Sequence, residues 1–265
     1  MIAWLQRSPS ASVYFSSLTV AEVLGVPDNV VVKRLAAIGE LCGVAPGRVR
    51  VAAGLVPTIL AELEGFQKTV VEDATFDPKV LISADLKTLR GYGRMLREVA
   101  AGASQGKDFG FGIDLAGPLA YQKEFGVQFD VGKAVAMVDD PGPLAPWNFG
   151  LQSAVAIGGG RVTAEQLAGN TRRYPVSNLF GHFAFRQMLA NAVPRTEGHP
   201  SLGLFRTKKK GGRGDWFDAG IAATAALADR LVSDDAELKR RCDWLRARRL
   251  LNFETVMLAD LLKRG

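Results

Sequence analysis

Apolar residues recur at three- and four-residue spacing along much of the chain, with polar and charged residues between them. Val31, Leu35 and Ile38 follow this spacing after Asp28 and Asn29, either of which can cap a helix. Residues three and four apart share one face of an α-helix, so the pattern predicts helices with one buried face. Helices are predicted over residues 19–24, 28–41, 79–101, 118–125, 131–138, 163–168, 177–192, 217–232 and 235–263, and an apolar stretch runs to about residue 63.

Capping residues and helix breakers refine these predictions. Thr19 is expected to cap the helix over residues 19–24, and Asp77 with Pro78 is a favourable start for the helix that follows. Pro57 is expected to kink its apolar stretch or to mark the start of a helix there. Gly91 and Gly93 are expected to weaken or break the helix over residues 79–101.

A glycine-rich stretch divides the predicted helices into two groups. Residues 102–118 contain five glycines, which is typical of a connection between packed units. We therefore predict a mainly α fold of two helical lobes, with few or no short strands. The predicted N-terminal lobe covers residues 1–107, and the C-terminal lobe covers residues 108–265.

Composition places the chain among folded proteins of reducing compartments. Of its 265 residues 48% are hydrophobic and 23% are charged, which is ordinary for a globular protein. Apolar runs such as residues 219–228 are shorter than the roughly 20 residues of a membrane span, and the N-terminus lacks a signal-peptide pattern. Only two cysteines are present, too few for a disulfide framework. We expect an intracellular, cytoplasmic protein, or one inside a virion if it is viral, without a membrane partner.

Positive charge is concentrated in one part of the sequence. Residues 161–214 contain ten Lys/Arg and two Asp/Glu, a net of +8, whereas the whole chain carries +6. The preceding residues 108–160 contain two Lys/Arg and six Asp/Glu, a net of −4. Such asymmetry indicates a polyanionic partner, an acidic surface on another chain, or only a solvated basic face.

The types of residue in this basic segment favour nucleic acid. Arginine binds phosphate through a planar fork, and aromatic side chains such as Tyr174 can stack on unpaired bases. The predicted nucleic-acid-binding residues are Arg161, Arg172, Arg173, Tyr174, Arg186, Arg195, Arg206, Lys208, Lys209, Lys210 and Arg213. They predict a non-enzymatic protein that coats single-stranded nucleic acid with little sequence specificity. It would self-assemble as an oligomer or filament, in the manner of a nucleocapsid or coat protein.

Two further motifs leave alternative functions open. Residues 19–41 resemble a helix-turn-helix in outline, which implies a DNA-binding regulator or replication protein. However, Val30 and Val32 stand where polar side chains should read bases, so a packed helical hairpin is favoured. The stretch from Gly158 to Gly160 follows an apolar segment and precedes Arg161, which would suit an enzyme acting on a phosphorylated substrate. Thr163 replaces the third glycine of the dinucleotide motif, so a simple turn is favoured there.

Catalytic and metal-binding residues are not predicted. His182 and His199 are the only histidines, and neither has cysteine or carboxylate neighbours at the sequence spacing of a metal site. No motif marks a serine or cysteine nucleophile with a histidine base. We therefore predict no metal, no cofactor and no enzymatic activity.

Overall fold

The protein is mainly helical, with two small sheets in the part of the chain that the structure describes. This computed structural model describes residues 1–24, 27–65, 69–73, 78–104, 130–140, 174–193, 198–206 and 213–263. The elements are α1 (Ile2–Arg7), β1 (Val13–Ser16), α2 (Ser17–Leu24), α3 (Asp28–Val44), β2 (Val49–Ala52), α4 (Leu55–Glu64), α5 (Pro78–Ser83), α6 (Leu86–Ser104), α7 (Val131–Asp139), α8 (Pro175–Ala192), α9 (Pro200–Phe205), α10 (Arg213–Thr224), β3 (Arg230–Ser233), α11 (Ala236–Ala247), β4 (Glu254–Met257) and α12 (Leu258–Lys263). A 3-10 turn at Ala225–Leu227 follows α10.

Each sheet is a pair of parallel strands joined by helical crossovers. β1 pairs with β2, and Val13 lies opposite Val49. β3 pairs with β4, and Arg230 lies opposite Glu254. Parallel strands need a long connection, and α2 with α3 supplies it in the first sheet while α11 supplies it in the second.

The predicted helices over residues 28–41, 131–138 and 177–192 are confirmed in the part of the chain that the structure describes. α3 buries Val31, Leu35 and Ile38 on one face, as their spacing predicts. α7 and α8 cover the predicted helices over residues 131–138 and 177–192. The predicted helices over 118–125 and 163–168 lie outside the described residues, as does the chain between residues 105 and 129.

The predicted helix over residues 79–101 is broken, but not at its glycines. α5 ends at Ser83 and α6 begins at Leu86, because Asp85 caps the new helix. Its carboxylate accepts hydrogen bonds from the backbone N–H groups of Lys87 and Thr88, at 2.9 Å each. Gly93 allows close packing instead, because a Cβ atom there would lie 2.5 Å from the Cβ of Leu24 on α2. Thr19 is not a cap, since Ser16 Oγ accepts the hydrogen bond from the Thr19 backbone N–H.

The predictions for the C-terminal helices are wrong in part. The helix expected over residues 217–232 ends at Thr224, and the chain then forms the 3-10 turn and β3. The helix expected over residues 235–263 ends at Ala247, and β4 intervenes before α12. The apolar residues counted as one helical face therefore belong to different elements: Leu245 lies on α11, whereas Phe253 precedes β4.

The largest hydrophobic core forms around α8 and includes residues from both predicted lobes. Ile59 of α4 is buried in this core, against the C-terminal elements. Glu62 of α4 is also buried, and its carboxylate accepts hydrogen bonds from the backbone N–H groups of Val176 and Ser177 at the start of α8. The division into two lobes at residues 107 and 108 stays a prediction, and α4 packs against C-terminal elements across it.

Candidate nucleic-acid interface

The structure describes only some of the predicted nucleic-acid-binding residues. Tyr174, Arg186 and Arg206 lie in or beside α8 and α9, and Arg213 begins α10. Outside the described residues are Arg161, Arg172, Arg173, Arg195, Lys208, Lys209 and Lys210, together with Gly158, Gly160 and Thr163. Tyr174, Arg186 and Arg206 are therefore the predicted residues whose side-chain contacts the structure describes.

Arg186 is part of the protein interior and is removed from the predicted interface. It is only 1% exposed. Its Nε donates to the carbonyl of Val138 at 3.0 Å, and one terminal nitrogen donates to His182 O at 3.1 Å and lies 3.0 Å from His182 Nδ1. The guanidinium thereby satisfies a carbonyl near the C-terminal end of α7, where no helical partner remains. Burial and the Arg186 charge lower the pKa of His182 to about 4, so His182 is neutral at pH 7.

Tyr174 and Arg206 also contribute to the fold. Tyr174 is 6% exposed at the start of α8, so its ring is not available to stack on a base, and the prediction is corrected there. Arg206 is half-buried and donates to the carbonyls of Ala190 and Val193 at the C-terminal end of α8, at 3.0 Å each. Part of the positive charge counted in residues 161–214 is therefore used to join helices.

Two other arginines bind backbone carbonyls in the same way. Arg48 donates to the carbonyls of Leu5, Ser8 and Ala11, which follow one another around the end of α1. Arg241 donates to the carbonyl of Leu204 at 2.8 Å and is 2% exposed. Arginine suits this role because its five N–H groups fan out in a rigid plane.

A second concentration of charge lies on α11 and the residues that follow it. Residues 236–249 contain six Lys/Arg and two Asp/Glu, a net of +4. The helix buries Leu238, Cys242 and Leu245 together with Arg241, whereas Arg240 and Arg246 are exposed. We call the exposed set the arginine surface, and it consists of Arg240, Arg246, Arg248 and Arg249 around the half-buried Trp244.

Both acidic residues of this stretch are already paired with other cations. Glu237 pairs with Arg241 at 3.3 Å, and Asp218 also pairs with Arg241, at 3.1 Å. Asp243 pairs with Lys239. Among the residues that the structure describes, no carboxylate lies within ion-pair distance of the arginine surface. Within the described ranges, these four cations therefore have no acidic partner.

Trp244 lies between this surface and the protein interior. The guanidinium carbon of Arg248 is 3.5 Å from the centroid of the indole ring, and that of Arg186 is 5.1 Å from the same centroid. The ring of Phe205 meets the indole edge-to-face, with centroids 5.2 Å apart. Guanidinium groups at such distances are attracted to the electron-rich ring. Arg248 thus has a defined position on an otherwise exposed surface.

Arg249 adopts a backbone conformation that normally selects glycine. Its φ is 59°, and among the described residues other than glycine it alone has a positive φ. Its N–H donates to the Arg246 carbonyl at 2.9 Å, and the Leu250 N–H donates to the Leu245 carbonyl at 3.0 Å. These two bonds form a Schellman motif, whose left-handed position is usually occupied by glycine. An arginine there keeps a cation at the helix end at a cost to the backbone.

The helix-turn-helix alternative keeps its core contacts but lacks a polar reading face. Val20 and Leu24 of α2 are buried in one cluster with Val31 and Leu35 of α3. Val32 is 50% exposed on α3, where a base-reading helix would present a polar group. Ala36, Ile82 and Leu86 line the same open groove as Val32, which has a volume of about 250 Å³. The packed helical hairpin fits these contacts better than a base-reading helix does.

The described histidines do not form a nucleophile and base pair. His199 Nε2 lies 3.3 Å from Asp139 Oδ2, a contact that the sequence spacing did not predict. Ser201 Oγ donates to the other oxygen of the same carboxylate. Both side chains thus bind Asp139, whereas a nucleophilic serine would bind the histidine itself. Within the described ranges, no three His, Cys, Asp or Glu side chains converge as a metal site would require.

Sequence reasoning missed the arginine surface because it counted charge in long segments. Residues 215–265 contain nine Lys/Arg and nine Asp/Glu, and this balance conceals the net +4 of residues 236–249. A shorter window combined with the helical positions of Leu238, Cys242 and Leu245 would have found it.

None of the helices in the described ranges combines the length and apolar character of a bilayer span. No protein-family model, curated protein or solved structure significantly matches this chain, so its function is inferred from this geometry and from its charge.

Proposed function

We propose that the chain binds nucleic acid through the phosphate backbone, with the arginine surface as one contact region. The observation that carries this proposal is the set of four exposed arginines that no described carboxylate neutralises. Arginine forms two parallel hydrogen bonds to a phosphate, and release of condensed counterions makes such contacts favourable without any base reading. The ligand is therefore nucleic acid of little sequence preference.

The length of the surface suits several consecutive phosphates. Arg240, Trp244 and Arg248 follow one another at four-residue spacing on α11 and at its C-terminal end. At 1.5 Å per residue, this row extends about 12 Å along the helix axis. Along the axis of B-form DNA each strand presents a phosphate about every 3.4 Å, so a duplex lying parallel to the row presents three to four phosphates of one strand to it.

The helix dipole explains only part of this arrangement. Cations in the last helical turn gain about 0.3–1 kcal/mol from the partial negative charge at that end. Arg246 lies in the last turn of α11, and Arg248 and Arg249 follow it. Arg240 lies in the middle of the helix, beyond the reach of this effect. Glycine at position 249 would also adopt this left-handed backbone conformation with less strain than arginine does. Binding of an external anion accounts for both residues.

Assembly on single-stranded nucleic acid is part of the same proposal. Tyr174 and Arg186 no longer support it, because both are buried. Without Arg186 and Arg206, which bind backbone carbonyls, residues 161–214 keep a net of +6; this charge and the net +4 of residues 236–249 support the proposal. Two separate basic stretches favour a ligand that passes over more than one region of the chain. Sizing with light scattering, together with the ratio of nucleic-acid to protein absorbance, tests this part. Monomers free of nucleic acid that do not assemble when oligonucleotide is added would reject it.

The binding proposal is tested by fluorescence anisotropy over a series of KCl concentrations. The probes are a labelled oligothymidine, a duplex of equal length and an oligomer of glutamate. We expect both nucleic acids to bind, with affinity falling steeply as salt rises. The double variant R240Q/R248Q should weaken binding to each. Its charge-matched control K33Q/R34Q changes exposed residues of α3 and should bind as the unchanged protein does.

Three results would reject or redirect the proposal. Absence of nucleic-acid binding at low salt would overturn it. Tighter binding of the glutamate oligomer would assign the surface to an acidic protein instead. Loss of duplex binding in K33Q/R34Q alone would transfer the function to the helical hairpin formed by α2 and α3.

A further inference from the structure

Trp244 connects a buried arginine to an exposed one. The Arg186 guanidinium lies 5.1 Å and the Arg248 guanidinium 3.5 Å from its ring centroid. The indole is supported from within the core, because Phe205 meets it edge-to-face and Phe183 meets Phe205 in the same way at 5.9 Å. The indole therefore has little freedom to move on the surface.

The two guanidinium groups differ in how firmly they are held. Three hydrogen-bonding contacts to Val138 and His182 hold Arg186, whose side chain is fully buried. Arg248 is exposed, and its guanidinium donates a long hydrogen bond of 3.5 Å to the Trp244 carbonyl. One group is thus fixed by the fold, whereas the other keeps most of its N–H groups for a ligand.

We infer that Arg186 is a positioning residue for Arg248, acting through the indole of Trp244, and that the ligand of Arg248 is a nucleic-acid phosphodiester. This inference rests on the proposed function. Arg186 fixes the ring on which Arg248 stacks. It also repels the Arg248 guanidinium, which is thereby directed towards solvent. A phosphate bound by Arg248 reduces this repulsion, so the buried charge increases phosphate affinity without contacting the ligand.

The electrostatics of the interior agree with this role. Burial, together with the nearby Arg248 charge, lowers the pKa of Arg186 to about 10, while Asp139 and Asp140 act in the opposite direction. The group remains protonated at pH 7 and therefore remains a cation behind the ring. Neutral His182 accepts from it and adds no charge of its own.

The salt dependence of binding distinguishes a positioning residue from a contact residue. Removing one phosphate contact reduces the slope of log affinity against log salt by about 0.7 for single strands. We expect R248Q to weaken oligothymidine binding and to reduce the slope by that amount. R186Q removes one of the two cation–π contacts at the indole and W244L removes both, but neither removes a phosphate contact. Both variants should therefore weaken binding about three- to tenfold at constant slope. W244F keeps an aromatic face and should recover most of the affinity.

The outcomes separate this inference from the proposed function. If the unchanged protein fails to bind, both are overturned. If the unchanged protein binds but R248Q changes nothing, only the inference about Arg248 and Arg186 is overturned. If R248Q reduces the slope but W244L and R186Q bind as the unchanged protein does, only the positioning role fails. A reduced slope in W244L would also overturn it, since that residue would then control the number of phosphate contacts. If R186Q does not fold, the affinities of W244L and W244F for oligothymidine test the positioning role. The role stands if W244F recovers most of the affinity that W244L loses, and it fails if the two variants bind equally.

Discussion

The backbone at Arg249 makes a prediction that separates the effect of backbone strain from the effect of charge. The change is R249G at the left-handed position of the Schellman motif, where φ is 59°. An L-residue with a side chain pays about 1–2 kcal/mol in this conformation, and glycine avoids that cost. Glycine also makes the unfolded chain more flexible, which costs about 0.4–1 kcal/mol. The backbone alone therefore contributes a stabilisation of about 0.5–1 kcal/mol, against which the lost interaction of the cation with the helix end must be set.

The matched control is R249A, which removes the same charge but keeps a Cβ atom. Both variants lose the interaction of the cation with the helix end, so the difference between them reports the backbone alone. We expect R249G to have a higher free energy of unfolding in urea than R249A by about 0.5–1 kcal/mol. For a chain of this size, that difference corresponds to a melting temperature higher by about 1–4 °C.

Binding should respond to the lost charge and not to the backbone. R249G and R249A should weaken oligothymidine binding equally, each with a slope smaller by about 0.7. R249G would then be more stable than R249A and yet bind no better, as expected where a strained residue contributes to binding through its charge. Equal or lower stability of R249G relative to R249A would refute the backbone argument. Unchanged binding in both variants would remove Arg249 from the interface.

Three further predictions concern the fold that supports this surface. Burial raises the pKa of Glu62 to about 6 against the three hydrogen bonds that lower it, so the folded state holds this proton more tightly than the unfolded chain. The stability of the unchanged protein relative to E62Q should therefore be greatest below pH 4.5 and fall by about 2 kcal/mol as pH rises through 6; urea unfolding curves in which this difference stays constant would contradict it. G93A should destabilise the protein by about 1–3 kcal/mol, because the new Cβ overlaps Leu24. The control G91A places its Cβ in open space and should not destabilise the protein, so equal unfolding midpoints of the two variants would contradict this packing. D85A should lose about 1 kcal/mol in urea unfolding through the missing cap of α6, and D85N should retain most of it; equal losses would argue against capping.

Local patterns in the sequence were sufficient for helices such as α3 and α8. Val31, Leu35 and Ile38 encode the buried face of α3 within eleven residues of its start, and no distant partner is needed to recognise it. The strands were missed for the opposite reason. Val13 pairs with Val49, and Arg230 pairs with Glu254. Strands of four residues carry too few positions for a period of two to emerge, and their partners lie far along the chain.

The candidate site was harder to predict because charge alone does not reveal where a side chain lies. Arg186 and Arg248 are equivalent in a count of basic residues. One is buried against the end of α7, and the other lies exposed on Trp244. The difference depends on helices brought together by folding. The sequence therefore predicted an arginine-rich protein correctly, but it assigned to an interface at least one arginine that stabilises the core.

Neutralising the arginine surface as a whole tests the central claim most directly. The measurement is the salt dependence of oligothymidine binding by the quadruple variant R240Q/R246Q/R248Q/R249Q, with K33Q/R34Q as a control for a general loss of positive charge. If all four arginines contact phosphate, the slope should fall by about 3, at about 0.7 for each contact, while the control keeps the slope of the unchanged protein. A folded quadruple variant that binds with unchanged affinity and slope would contradict the proposed interface.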